Sequence, residues 1–428
     1  MSRTVSLKAR TAMLVGLGAR AASRLLGKGD GGMVGGRVAL KLDPDILATL
    51  TRDKQVVLVT GTNGKSTTTK MTAAALSTRG EVAANLGGDN MGPGITTAAM
   101  IGASAPFAVF EVDAMHLPRV ARETRPAVIV LLNLSRDQLD RVGEIGAVEK
   151  RLRTAVEDNP DAVIVANCDD PLIVSAAWGA PKVQWVSVGA PWTDDATTFP
   201  RGGGLVVRDG DHWFVEGYEE FTRPEPSWWV GDRDTDSFTL FGPEGVKARV
   251  TLALPGRANQ GNAAQAIVAA VTLGANLQAA AEAVGTVRQV AGRYKTYDVS
   301  GREANLLLAK NPAGWQEALS AVPKETTQMV VAVNGQIPDG EDLSWVWDVD
   351  FSPLEELPLE RLIASGERAE DLDVRLTYSG LEAEMVADPL EAIKAMEPGR
   401  VQTLLNYTAF RDLKKDLENP TREGAPNE

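Results

Sequence analysis

The stretch Val56–Lys70, VVLVTGTNGKSTTTK, leaves the chain few folds to choose from. Val56, Val57, Leu58 and Val59 form a short apolar, mostly β-branched run, which reads as a parallel strand buried on both faces. Gly61 and Gly64 follow, where the backbone must turn tightly and approach a ligand, and Thr67 to Ser77 reads as the next helix. Strand, glycine turn and helix start in that order aim a row of backbone N–H groups at an anion, at the positive end of the helix. The expected occupant is the triphosphate of ATP, cradled by Thr62, Asn63, Gly64, Lys65, Ser66 and Thr67. Lys65 would sit beside the β- and γ-phosphates and the Ser66 hydroxyl would ligate Mg²⁺. The common phosphate-loop pattern has its first glycine six residues before the lysine, where this chain has Val59, so the loop is a shorter variant.

The same rhythm continues. Ala108 to Val112 reads as a second buried strand with Glu111 and Asp113 at its carboxyl end, where open α/β sheets bind ligands. Mg²⁺ between phosphates takes one or two carboxylate oxygens. Glu111 is the first candidate for that ion and Asp113 the second; a solvated strand end is the other reading of each. Asn85 to Gly92 is a polar, glycine-rich loop suited to lie near the phosphates, and His116 reads as a packed or loop histidine. Further strands are expected at Ala127–Leu132 and Ala162–Ala166, giving a doubly wound parallel sheet. Residues 185–250, rich in Trp, Gly, Asp and Pro, read as a small antiparallel β insertion with Trp213, Trp228 and Trp229 in its core.

At 428 residues there is room for two or three domains. A net charge of −13 argues against general nucleic-acid binding. Cys168 is the only cysteine, so no internal disulfide forms and a reducing cytoplasm fits. The first 41 residues run against the overall charge, with eight Lys or Arg against the single acid Asp30. Leu7, Met13, Leu14, Leu17, Ala21, Leu25 and Leu26 recur there at roughly helical spacing. Such a helix suits either an anionic membrane surface, here the inner face of the plasma membrane, or packing on the protein's own body. Arg20 and Arg24 interrupt it too early for a signal peptide, and no segment reaches the ~18 apolar residues of a membrane span.

The loop T-G-T-N-G-K-S at 60–66 resembles that of Mur ligases and folylpolyglutamate synthases, which activate a carboxylate as an acyl phosphate. Asn133 to Gly143 is similar to a Mur-ligase N-x-x-x-D-H-x-D-x-H-G stretch, with Gln138 and Val142 at the histidine positions, and its R-D-Q-L-D-R phrase resembles the MurT branch. Asn167-Cys168-Asp169-Asp170-Pro171 is a Mur-type N-x-D-D-P turn. Leu254 to Ala264 is similar to L-P-G-x-H-N-x-x-N, which carries Asn259 and Asn262 to the adenine or ribose side of the site; Asn259 could also cap the helix that starts there. Gly292-Arg293 matches the arginine that Mur ligases place near the γ-phosphate. Asp342 to Phe351 (D-L-S-W-V-W-D-V-D-F), with Ser365 to Ala369 and Asn406 to Ala409, resembles the C-terminal domain of MurT proteins.

What this resemblance implies is specific. The fold class is α/β, a Mur ligase-type doubly wound parallel sheet with a phosphate loop, a small β insertion and a second α/β domain. The expected parts are a basic amphipathic segment at 1–50, an ATP-binding domain at 51–293 and a C-terminal domain at 294–428. Several MurT proteins carry a four-cysteine zinc ribbon in the insertion; this chain has no cysteine there, so no zinc is expected. The implied activity is amidation of the D-glutamate α-carboxylate of the lipid II stem peptide, with ATP, Mg²⁺ and ammonia from a GatD-type glutaminase partner. Lys65, Glu111 and Arg293 would serve the phosphoryl transfer. An aspartate of the C-terminal domain would complete the partner's Cys-His pair: Asp342 first, Asp348 next, with Asp339 and Asp350 also available. Cys168, with only His116 and His212 in the chain, makes no glutaminase of its own. Only about 50 residues precede the loop's strand, too few for the nucleotide-sugar domain of ordinary Mur ligases, so a membrane-borne substrate is expected over a soluble one. Two other readings stay open: a stand-alone amino-acid ligase of the folylpolyglutamate synthase kind, and a non-catalytic ATP-binding scaffold.

Overall fold

The computed structural model describes residues 6–26, 31–136, 145–189, 193, 195–254, 256–288, 294–339 and 342–418. Gly292 and Arg293, Gln138 and Val142 lie outside them. The chain forms two compact units, residues 1–135 with 144–288 and residues 136–143 with 289–428. The first unit takes in the N-terminal 50 residues that the sequence reading set apart.

Three helices open the first unit: α1 (Leu7–Leu25), α2 (Gly32–Leu42) and α3 (Ile46–Thr51). Then come β1 (Gln55–Thr60), α4 (Lys65–Ser77), β2 (Val82–Ala84), α5 (Gly92–Ile101), β3 (Phe107–Glu111), α6 (Leu117–Thr124), β4 (Val128–Leu131), β5 (Val163–Asn167) and β6 (Val183–Ser187). These strands are parallel neighbours in the order β6-β5-β4-β1-β3-β2. β1 therefore lies between β3 and β4, with Val59 beside Glu111 and Thr60 beside Leu131. Because the chain winds outward in both directions from β1, the loops after β1, β3 and β4 meet at one carboxyl edge, the switch point of an open sheet. Val56, Val57, Leu58 and Val59 are fully buried, as an all-apolar central strand requires.

The region 185–250 divides differently from the expected insertion. Trp228–Gly231 (β10), Ser237–Phe241 (β11) and Lys247–Thr251 (β12) extend the main sheet beyond β6 to nine strands. Only Val206–Asp209 (β7), His212–Val215 (β8) and Tyr218–Thr222 (β9) form a separate three-stranded antiparallel sheet. Local sequence marks a strand but carries no information on its partner, so the sequence alone reads both groups of strands as one insertion. Phe199, Trp213 and Val215 close the core of the small sheet with Trp178 and Phe221 packed against them. Trp213 donates its indole N–H to Cys168 O (3.0 Å), and Arg223 pairs with the buried carboxylate of Asp169 at 2.8 Å. Trp213 and Trp228 are core residues, whereas Trp229 is partly exposed and stacks on Phe241.

The second unit is a six-stranded sheet of order β13-β14-β18-β15-β16-β17, formed by Tyr294–Val299, Arg302–Leu308, Gly399–Leu405, Gln328–Ala332, Arg361–Ser365 and Glu384–Met385. All pairs are parallel except β13 with β14. Apolar clusters cover both faces, one around Trp315, Phe351 and Leu376 and the other around Ile363, Ile393 and Phe410.

Candidate nucleotide and acyl-activation site

Gly64 (φ 81°) ends the phosphate loop in the left-handed region and caps α4, so the helix starts at Lys65. A Cβ at Gly64 would stand 2.5 Å from Asn262 Oδ1, so only glycine fits. Asn262, expected on the adenine or ribose side, thus lies against the phosphate loop itself. The helix Arg257–Thr272 is capped by Gly256, so Asn259 is buried in its first turn and is not the cap. Periodicity cannot tell the first residue of a helix from its third.

Lys65 donates its ammonium to Gly61 O and Thr62 O, both at 2.7 Å, and so lies across the loop. Ser66 Oγ donates to Glu111 Oε2 at 2.7 Å. Glu111 is only 3% exposed, and its orientation is set by the loop after β2. Asn85 exchanges two bonds with the Glu111 backbone (2.8 and 2.9 Å), and Asn90 Nδ2 donates to Glu111 Oε1 at 3.2 Å. Asp113, the second carboxylate candidate, is turned to its own loop, accepting from the Met115 N–H at 2.9 Å. Lys70, one turn further along α4, was missed by the sequence reading. Burial lowers its pKa, with the charge of Glu111 pulling the other way. Its signal was present, four residues after Ser66 and so on the same helix face.

The loop is braced from β4. The Thr62 N–H donates to Asn133 O (2.9 Å), the Asn63 N–H to Asn133 Oδ1 (2.9 Å) and the Ser135 N–H to Thr62 Oγ1 (3.0 Å). Asp170 holds this brace in turn: it accepts from the Leu134 N–H at 2.8 Å while capping the helix Pro171–Ala177 through Leu172 and Ile173. Burial pushes its pKa up to about 6, against the pull of those three N–H donors. A folded pKa above that of a free aspartate, about 3.9, means the fold favours the protonated form. This contribution is full below about pH 4 and is lost as pH rises through 6. The wild type's advantage over Asp170→Asn, read by denaturant unfolding, should therefore shrink by on the order of 1–3 kcal/mol between pH 4 and 7. An advantage that stays constant with pH would mean an ordinary carboxylate.

A cavity of about 400 Å³ adjoins Asn90 through Met91 and Gly92, and Arg37, Lys41, His116 and Arg119 line it with a single acid, Glu123. Among the described residues no group of three or more His, Cys, Asp or Glu could hold a metal by itself. The hard oxygens of Ser66 and Glu111 nonetheless suit Mg²⁺, which fills its remaining positions with water and phosphate. Cys168 is buried, and burial with the neighbouring Asp169 raises its thiol pKa, so it is no nucleophile.

In the second unit the four candidate aspartates separate. Asp339 is buried and committed to the N–H and hydroxyl of Thr408. Asp348 pairs with Arg136 at 3.3 Å, and Asp350 accepts from the Ser352 N–H. Asp342 is exposed; the Ser344 N–H at 2.8 Å fixes its carboxylate and holds its pKa below the usual range. It lines a cavity of about 280 Å³ with Trp347 and Arg368.

Residues 59–198 match the family described as Mur ligase middle domain, residues 308–410 the family described as MurT ligase C-terminal, and residues 236–341 a family of unknown function. The chain is 30% identical to a Staphylococcus aureus protein named lipid II isoglutaminyl synthase (glutamine-hydrolyzing) subunit MurT, over 95% of this chain and 97% of that one. Its fold is similar to that of a pseudomurein peptide ligase type C from Methanothermus fervidus, with a TM-score of 0.70 and 19% identity over 88% and 81% of the two chains. A MurF ligase from Thermotoga maritima in complex with ADP gives a TM-score of 0.58 and 16% identity over 88% and 84%.

Proposed function

The chain belongs to the MurT family of Mur ligase-fold enzymes and is an ATP-dependent ligase, and from that premise we propose that it amidates the D-glutamate α-carboxylate of lipid II. The Ser66–Glu111 pair beside Lys65 at the mouth of the phosphate loop carries this reading. A substrate carboxylate oxygen attacks the γ-phosphorus and ADP departs, leaving an acyl phosphate. Ammonia then attacks the acyl carbon, inorganic phosphate leaves with the C–O electron pair, and a proton lost from nitrogen completes the amide. Little covalent work falls to the protein, which must position the groups and neutralise charge. Lys65 takes the charge on the β- and γ-oxygens, and the backbone N–H groups from Asn63 to Ser66 orient the phosphates. Ser66 and Glu111 would hold Mg²⁺, which spreads the developing phosphoryl charge when bound. Arg293, outside the described residues, is assigned to the γ-phosphate on the motif alone.

The basic cavity next to Asn90 is the place we assign to the acidic stem peptide, since it is a concave, partly apolar space lined by Met91 and Gly92, which follow the Asn90 that bonds Glu111. Arg119→Glu should raise the lipid II concentration for half-maximal rate about tenfold, the effect of reversing one partly exposed charge, while the ATP requirement holds. An unchanged lipid II requirement would place the peptide elsewhere.

Relatives named as a subunit support a partner, and we assign a GatD-type glutaminase that supplies the ammonia. The test is co-expression with such a glutaminase and glutamine- and ATP-dependent amidation of lipid II read by mass, as the ~1 Da loss when carboxylate becomes amide. Turnover of ATP with a free amino acid and no glutaminase would move the assignment to a stand-alone ligase. Amidation untouched by substitutions in the phosphate loop would mean a scaffold.

A further inference from the structure

α1 buries the wrong residues for a helix that merely packs on its own protein. Its inward face is made of Ala9, Ala12, Gly16 and Ser23, while Leu7, Leu14 and Leu25 are 82%, 69% and 89% exposed. Positions 7, 14, 18, 21 and 25 fall on one side of a 3.6-residue helix, so Leu7, Leu14, Gly18, Ala21 and Leu25 form one outward stripe, with Val15 at its edge. The inward face is committed. A Cβ on Gly16 would stand 2.8 Å from Gly35 O, and one on Gly35 would stand 2.9 Å from Gly16 O, so α1 and α2 are in backbone contact. The helix cannot roll its leucines inward without losing that contact.

We propose that this stripe lies on an anionic lipid bilayer, in the plane of the interface. Charge complementarity selects this occupant. The chain carries −13 overall, yet there is no acid before Asp30, and Arg10 and Arg24 are exposed beside the leucines. Lys8, on the flank next to Val15, pairs with Asp43. An apolar stripe flanked by arginines on an otherwise acidic protein is attracted to phospholipid headgroups while its leucines enter the acyl boundary. The helix lies on the bilayer and does not cross it, since no helix among the described residues is long and apolar enough to span one.

The inference goes beyond the amidation reading and is tested without turnover. The full chain is sedimented with phosphatidylcholine vesicles, with or without about one third phosphatidylglycerol. It should sediment with the anionic vesicles and largely stay in solution with the neutral ones. Leu14→Glu with Leu25→Glu should weaken binding at least about tenfold, and Arg10→Glu with Arg24→Glu should lower binding to anionic vesicles only. All four positions are exposed, and an unchanged circular dichroism melt confirms that the variants fold. Equal binding to both vesicle types, or no loss in the leucine variant, would overturn the proposal. So would dimerisation through the stripe without vesicle binding. Vesicle binding without amidation would sink only the proposed reaction.

Discussion

Replacing Lys65 with alanine should lower ATP-dependent amidation by about 10²–10³-fold, with most of the loss in kcat, the cost of removing one preorganised group that meets developing charge. The ammonium lies over the loop, held by Gly61 O and Thr62 O. Charge on the phosphoryl oxygens is redistributed in the transition state, so a cation there stabilises that state more than bound ATP. Glu111→Gln is the companion variant. It keeps the shape of the Ser66 contact but removes the charge, so the Mg²⁺ concentration for half-maximal rate should rise while ATP binding without metal is spared. Quenched-flow measurement of ADP formation separates the two. A Lys65→Ala enzyme that retains the wild-type rate would remove the phosphate loop from the chemistry.

Replacing Asp342 with alanine should lower glutamine-dependent amidation by about 10²–10⁴-fold, the range for losing the acid that orients a catalytic histidine. Amidation fed with free ammonium should stay within about threefold if Asp342 serves only the partner's glutaminase, as proposed. Asp342 suits such a task. It is exposed, its carboxylate is fixed by the Ser344 N–H, and its pKa lies below the usual range, so it is ionised at neutral pH. Asp339 cannot stand in, being buried against Thr408. Asp339→Ala should act on stability, leaving a buried donor unsatisfied at about 1–3 kcal/mol. If glutamine- and ammonia-fed rates fell together in Asp342→Ala, the residue would belong to the synthetase reaction.

Much of the first unit was legible because its signals are local. Four consecutive buried aliphatics before a glycine turn admit one reading, and Lys65, Ser66 and Glu111 follow from strand ends and helix starts. What was not legible depends on pairing across long separations. β10 reads as a short apolar strand, and nothing in its sequence says that it joins β6 rather than β9. The brace from Asp170 to Leu134 spans 36 residues and shows in the sequence only as a helix cap. Asn262 stands out in the sequence only through its motif, and its packing against Gly64 depends on where the helix crosses the loop. In α1 the leucine pattern was visible, but only packing decides that the small residues face inward.

The order of strands in the second unit also sets when that unit can exist. β18 is the last strand among the described residues and sits in the middle of the sheet, hydrogen-bonded to β14 on one side and β15 on the other. Arg302 pairs with Gly399, so nearly a hundred residues must be made before the two halves of the sheet have a common neighbour. During synthesis β14 and β15 wait with open edges, a slow, high-contact-order closure exposed to misassociation. The phosphate-loop unit, whose strands β1 to β12 all lie before residue 252, can be complete on the ribosome while the second unit is still unfinished. Order of synthesis therefore acts as a timer: the second unit, which carries Asp342, closes its sheet after the phosphate-loop unit has all its strands.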